Sequence, residues 1–460
     1  IPDGQTVVLC GESGCGKTTL TRLINGLIPH YFEGELSGSV TVGGCNVSEQ
    51  PLYDTARLVG SVFQNPRSQF FNVDTTSELS FGCENLGMPR DEILQRLQRT
   101  VSALKMESLL GRSIFDLSGG EKQKIACGGA FMMDPQVFVL DEPSSNLDSD
   151  SISDLRETIA YLRSLGKTVV LSEHRLYYLR GIADRYVYLK DSRIAGDYTA
   201  EQFERIPEAE RRRMGLRTNR LSALTFEEGA VPSPASARLS DFCFAYQNAP
   251  ETLKIASADI PYGGIVGIIG HNGAGKSTFS RCFCGLEKRC GTVTVNGTSC
   301  SARERLNKCY MVMQDVGHQL FTESVLDEVL ISMAEEDEKE AERILAGLDL
   351  AALSGRHPAS LSGGQKQRLA IASAVAAGRS VLFLDEPTSG LDHRHMMEVA
   401  GLLKALRESG KTVYVITHDP ELICECCTDI IHLERGSIRE TYPMDAAGAD
   451  KIRQFFCIDA

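Results

Sequence analysis

The sequence predicts an α/β fold built twice in one chain. Two observations carry this. Short apolar runs rich in β-branched residues end in glycine-rich turns or acidic pairs, as buried parallel strands do. The same succession of runs then recurs about 250 residues later. IPDGQTVVLCG at 1–11 returns as IPYGGIVGIIG at 260–270, and VFVLDEP at 137–143 returns as VLFLDEP at 381–387. Self-similarity on that scale is a tandem duplication rather than a short solenoid repeat.

The register of the repeat can be followed residue by residue. The offset is 259 at Lys17 and Lys276, 250 at Gln64 and Gln314, and 244 at Ser118 and Ser362. It stays at 244 through Asp141 and Asp385 to His174 and His418. The second copy is therefore 15 residues shorter between its lysine and its LSGG run. The expected domains are a first copy over 1–200, a charged flexible linker over 201–235, a second copy over 236–442 and a tail over 443–460. Tyr246 lies 30 residues before Lys276, so its counterpart would fall before Ile1, and the first copy is expected to lack its opening strands.

Composition bounds the function. The 460 residues carry 48 basic and 61 acidic side chains, a net charge of −13, with 42% hydrophobic and 24% charged residues. That is a globular balance. It argues against a chain that coats nucleic acid. No run approaches the 18 apolar residues of a bilayer span. The 15 cysteines are scattered without paired knuckles, which fits reduced thiols rather than a disulfide scaffold or a metal site.

Each copy then offers the parts of a phosphate site. After the strand Thr6 to Cys10 the chain turns through Gly11, Gly14 and Gly16 into Lys17, Thr18 and Thr19. Glycines there leave backbone N–H groups free to wrap phosphates. The lysine is expected to reach the β/γ-phosphates of ATP, and the Thr18 hydroxyl to ligate Mg²⁺. Gly270, Gly273, Gly275, Lys276, Ser277 and Thr278 repeat the arrangement. At the end of the next motif strand, Asp141 and Asp385 are placed to hold Mg²⁺. Glu142 and Glu386, one residue on, are placed to activate water. His174 and His418 end further apolar strands and can bond a γ-phosphate. Gln64 and Gln314 follow short strands, where an amide can meet the metal or the lytic water.

The run LSGG, with Ser118, Gly119 and Gly120 in one copy and Ser362, Gly363 and Gly364 in the other, makes a second anion-cradling helix start. Together with the loop, the glutamine, the acid pair and the histidine, it resembles the ABC-type ATPases over nearly the whole chain. The resemblance implies tandem P-loop NTPase domains, each with a RecA-like core sheet, a helical subdomain and an antiparallel β subdomain. It implies head-to-tail pairing. One site would join Lys17, Asp141, Glu142 and His174 to Ser362–Gly364, the other Lys276, Asp385, Glu386 and His418 to Ser118–Gly120. It also implies D-loops at Asn146–Leu147–Asp148 and Gly390–Leu391–Asp392, and adenine stacking on Tyr246.

Within that family, the 101 and 86 residues between lysine and LSGG serine leave no room for a long coiled coil. The shared Q-x4-Q-[FL]-F, at Gln69–Phe70–Phe71 and Gln319–Leu320–Phe321, is similar to the ATPases of energy-coupling factor importers. That likeness implies import of vitamins or metal ions, with integral membrane T-type and S-type partners and no nucleic acid. It also implies a peripheral place on the cytoplasmic face of the membrane. The open alternatives are another importer class, or an ATP switch acting on ribosome or DNA.

Overall fold

The computed structural model describes residues 1–145, 147–226, 233, 235–247 and 250–456. Asn146 of the expected D-loop, the middle of the expected linker (227–232 and 234) and residues 457–460 lie outside the described residues. Compactness divides the chain into two units, Ile1–Asn219 and Arg220–Ala460.

The first unit is organised by a six-stranded sheet. Its order is Val59–Val62, Val137–Asp141, Thr168–Ser172, Thr6–Gly11, Arg185–Lys190 and Arg193–Thr199. The first five strands run parallel and the last is antiparallel. The phosphate-loop strand is central, which explains why Thr6 to Gly11 is buried throughout and reads as an unbroken apolar run. The second unit repeats the order with Cys309–Val312, Val381–Asp385, Thr412–Ile416, Ile265–Ile269, Asp429–Glu434 and Ser437–Pro443. It adds a four-stranded antiparallel sheet of Glu251–Tyr262, Ala235–Ala245, Thr292–Val295 and Thr298–Cys300. Among the described residues the first unit has at that place the hairpin Thr41–Val42 with Cys45–Asn46.

The helical layer absorbs part of the length difference. Thr75–Asn85 and Arg90–Ala103 in the first unit correspond to the shorter Val325–Leu330 and Glu338–Gly347 in the second. Each set packs on the helix that follows LSGG, Gly119–Met132 or Gly363–Ala376.

The segment expected as a flexible linker folds over its first part. Helices Ala200–Glu204 and Glu208–Arg213 belong to the first unit, pinned by fully buried Phe203, by Leu216 and by the Arg211 guanidinium 5.7 Å from the Phe203 ring. The physical reason is amphipathicity. The charged residues of EAERRR pair with one another, with Arg211 itself buried, while the apolar Phe203, Ile206, Met214 and Leu216 on either side reach the core. The tail of the second unit does the same through helix Ala446–Phe455, whose Ile452 is fully buried.

Candidate functional site

Two conformational features build each phosphate loop. Gly11 has φ 150°, and a Cβ there would stand 2.3 Å from the Leu189 carbonyl oxygen. Gly270, with φ 152°, would meet the Leu433 carbonyl oxygen at 2.2 Å. No side chain fits at either place, so the glycine is dictated by the close approach of the neighbouring strand. Beyond the loop, Gly16 and Gly275 take left-handed conformations as N-caps of Lys17–Ile24 and Lys276–Cys284. These helix starts direct their N–H groups and the positive dipole end at the loop.

The lysines are buried and folded onto their own loops. Lys17 Nζ donates to the carbonyls of Gly11 and Glu12, each at 3.0 Å, and Lys276 Nζ to those of Gly270 and His271 at 2.6 and 3.2 Å. Thr18 donates to Asp141 Oδ1 at 3.2 Å, and Ser277 to Asp385 Oδ2 at 2.7 Å. Burial pushes both aspartate carboxyls above their ordinary range, against the bonds they accept. A hydroxyl converging with a buried carboxylate beside a phosphate loop is the donor chemistry of a hard divalent cation. Thr19 is exposed, whereas Thr278 is buried and bonded to the Tyr246 hydroxyl at 3.3 Å. That bond sets the Tyr246 ring beside the loop helix.

At the strand ends, Glu142 and Glu386 have φ 44° and 52°. Positive φ at two matched non-glycine residues is a local strain of the kind that collects at working sites. Gln64 donates to Glu142 Oε2 at 2.7 Å, and His174 Nε2 lies 3.4 Å from Oε1. In the second unit His418 Nε2 lies 3.8 Å from Glu386 Oε1, while Gln314 is exposed and makes no matching bond. The structure thus brings the glutamate and histidine together in both units, and the glutamine in one.

The LSGG serines cap the helices behind them. Ser118 accepts from the Glu121 N–H at 3.3 Å and Glu121 accepts from the Ser118 N–H at 2.7 Å; Ser362 and Gln365 repeat this reciprocal cap. Gly119 and Gly363 are exposed at the helix starts, with Gly120 and Gly364 half-buried behind them. Asp148 and Asp392 of the D-loops cap the helices Ser149–Ser164 and His393–Glu408.

The sequence alone shows Ser172–Glu173–His174–Arg175 departing from Thr417–His418–Asp419, which leaves asymmetry between the copies open, but it gives Ser172, Glu173 and Arg175 no role. Ser172 donates to Asp141 Oδ1 at 2.5 Å and accepts from the Glu142 N–H at 3.1 Å. Fully buried Glu173 accepts from Ser144 N–H, His174 N–H, Arg175 N–H and the Tyr178 hydroxyl. Arg175 in turn donates to the carbonyls of Ser144 and Leu147 at 3.4 and 3.1 Å. The available signal was a hydroxyl and two charges replacing Ile416, Thr417 and Asp419 in otherwise matching strands.

The motif taken as specific to importers has a local explanation. Gln69 accepts from the Phe63 N–H at 3.0 Å, and Gln319 braces Met313 N–H and the Met311 carbonyl at 2.7 and 2.8 Å. Glu78 and Glu328 accept from the N–H groups of Phe71 and Phe321. Phe70 packs on the core, and only Phe71 and Phe321 stand out, 74% and 73% exposed. The repeated residues fold the segment after the glutamine in each unit. A cavity of about 280 Å³ lined by Phe63, Phe70, Phe71 and Phe81 opens beside it in the first unit.

Comparison with known proteins supplies the family. The family described as ABC transporter matches residues 1–145 and 253–389. A protein of Treponema denticola named "Putative ABC transporter ATP-binding protein" is 46% identical over 445 residues, covering 95% of this chain and 91% of its own. A solved structure described as ribosome-bound archaeal Pelota and ABCE1 superposes with a TM-score of 0.71 at 21% identity, over 99% of this chain and 77% of that one. A complex of archaeal ribosomal stalk protein aP1 with the ribosome recycling factor aABCE1 gives 0.64 at 21%, over 98% and 88%. The chain belongs to the ABC transporter family, carries its ATPase domain twice and is an ATP-hydrolysing enzyme. The tandem fold is that of the two ribosome-factor structures.

These findings correct the narrower reading. The solved structures that superpose along the full length are tandem ATPases whose descriptions name ribosome factors, and the sequence relatives' names carry no energy-coupling factor assignment. The assignment to such importers is not upheld. With it go the T-type and S-type membrane partners, the exclusion of nucleic acid, and the peripheral place at the membrane. Among the described residues no helix is long and apolar enough to cross a membrane.

Proposed function

We propose that this ABC-family ATPase is a two-site ATP switch that acts on a ribosome-class partner. The observation that carries its chemistry is the pairing of Glu142 with Gln64 and His174 at 2.7 and 3.4 Å, echoed by Glu386 and His418 at 3.8 Å. Glu142 and Glu386 accept the proton of the attacking water, and the histidines orient that carboxylate and the γ-phosphate. Lys17 and Lys276 exchange their loop carbonyl partners for phosphate oxygens. Thr18, Asp141 and Gln64 in one site, and Ser277, Asp385 and Gln314 in the other, would hold Mg²⁺, which supplies charge neutralisation across the phosphates. Completion of each site by the opposite Ser362–Gly364 or Ser118–Gly120 is part of the proposal and rests on the family resemblance.

The ribosomal partner is supported by the tandem plan shared with structures whose descriptions name ribosomes or ribosomal stalk protein. The test is co-sedimentation of the full chain with ribosomes from its own source, with a non-hydrolysable ATP analogue or with ADP. Binding with the analogue that is lost with ADP, and lost in the Lys17→Ala/Lys276→Ala double variant, is the expected result. No association in any nucleotide state, from a chain with normal ATPase turnover, sinks the partner. The relatives' name favours a second reading, an ATPase coupled to a transporter of another class. Turnover stimulated by native membranes and unaffected by ribosomes would select it.

A further inference from the structure

The strand ends of the two units differ at one buried position that touches both acids. Ser172 is fully buried, and its hydroxyl ties Asp141 Oδ1 at 2.5 Å to the Glu142 N–H at 3.1 Å. The matching residue is Ile416, which has no hydroxyl. Both units share the backbone bond, from the Glu142 N–H to the Ser172 carbonyl at 3.1 Å and from the Glu386 N–H to the Ile416 carbonyl at 2.9 Å, so the units differ in the added hydroxyl; Asp385 is held by the Ser277 hydroxyl at 2.7 Å. We propose that Ser172 is a positioning residue that fixes the metal-side carboxylate of the first site, so that the two ATP sites of one chain differ in affinity for the divalent cation.

Thr18 and Ser277 each bond an aspartate, and each is the residue assigned to the cation itself. When Ser277 turns to the cation, Asp385 gives up the hydroxyl that orients it. When Thr18 does the same, Asp141 keeps Ser172. A carboxylate already oriented loses less freedom on meeting the cation or its water, and outer partners of this kind are worth about 10- to 100-fold in metal affinity. Asp141 accepts from two hydroxyls, Thr18 and Ser172, where Asp385 accepts from Ser277. The hydroxyl that holds Asp141 also accepts from the Glu142 N–H, beside the carbonyl bond that both units share, so a side-chain link between the metal-side and water-side acids exists in the first site alone.

This inference rests on the metal assignment above, and the experiment separates the two. Mn²⁺ is titrated into the full-length chain with a non-hydrolysable ATP analogue, and free Mn²⁺ is read by electron paramagnetic resonance. An Asp385→Ala background reports the first site, and an Asp141→Ala background the second. The first site is expected to bind Mn²⁺ about tenfold tighter. Ser172→Ala should remove that advantage, Ser172→Thr should keep it, and Ser172→Ala in the Asp141→Ala background should leave the second site unchanged. That last titration also shows that the variant is folded. Ile416→Ser should tighten the second site. A first site whose Mn²⁺ affinity survives Ser172→Ala, or an equal loss at both sites, overturns the role of Ser172. Undiminished Mn²⁺ binding in Asp141→Ala/Asp385→Ala overturns the metal assignment instead.

Discussion

In the first unit the turn after Asp141–Glu142 is held by Glu173, whose buried carboxylate accepts from Ser144, His174, Arg175 and Tyr178. In the second unit the turn is held by Asp419, two positions further along the matching strand end. It accepts from the Thr388 hydroxyl at 2.7 Å and from the N–H groups of Glu421 and Leu422. Arg175 fills the place of Asp419 and reverses the polarity, donating to the carbonyls of Ser144 and Leu147. Both wirings present a histidine to the glutamate at the strand end, at 3.4 and 3.8 Å. The lesson is that the duplicated site constrains the position of the histidine and not the charge that anchors it. A buried anchor can move along the chain if the donors around it move as well.

The largest effect expected from breaking this comparison is on turnover. Glu142→Gln and Glu386→Gln each remove the proposed proton acceptor of one site. The double variant should lose at least about a hundredfold in steady-state phosphate release. If the sites are equivalent the single variants fall equally; the wiring difference predicts that they fall unequally. Full activity from either single variant would remove its glutamate from the mechanism.

Next in size is the anchor itself. Glu173→Ala strands several buried donors, Arg175 among them, and should lower the stability of the first unit by about 3 kcal/mol in a denaturant melt. A change within 0.5 kcal/mol would mean that Glu173 does not hold the turn.

The comparison can be sharpened by transplanting the second wiring into the first unit. Glu173→Thr and Arg175→Asp should each destabilise alone, and the double variant should recover part of the loss, with a coupling of about 1 kcal/mol or more. Strict additivity would show that the two charges are independent.

The smallest expected effect concerns the buried acid of the second site. Burial raises the Asp385 carboxyl, so the nucleotide-free folded state binds its proton more tightly than the unfolded chain does. Its contribution is favourable below the unfolded-state value and is lost as pH rises through the raised folded one. Asp385→Asn removes the charge and should stabilise the nucleotide-free chain at neutral pH by about 1 kcal/mol. The gap to the parent should narrow as pH falls, followed by the melting temperature of both proteins. A variant less stable at neutral pH than its parent contradicts this.

Much of this protein was legible without coordinates, because the relevant physics is local in sequence. Buried parallel strands must be apolar runs, a phosphate loop must have glycine where a strand crowds it, and a helix start needs its cap. So the duplication, Lys17 and Lys276, the acid pairs and the LSGG helix starts could all be read in order. What tertiary structure alone decided is which side chains meet across the sheet. The Ser172 bond to Asp141 joins neighbouring strands 31 residues apart, and the Gln64 bond to Glu142 spans 78. The charged segment after Thr199 illustrates the same limit. Its surface of alternating acids and bases reads as a solvated linker, but Phe203 and Leu216 find the first unit's core and fold it. Local pattern determines which element forms. Only the packed sheet determines which donors and acceptors are left facing one another, because an unpaired buried group is what the fold cannot tolerate.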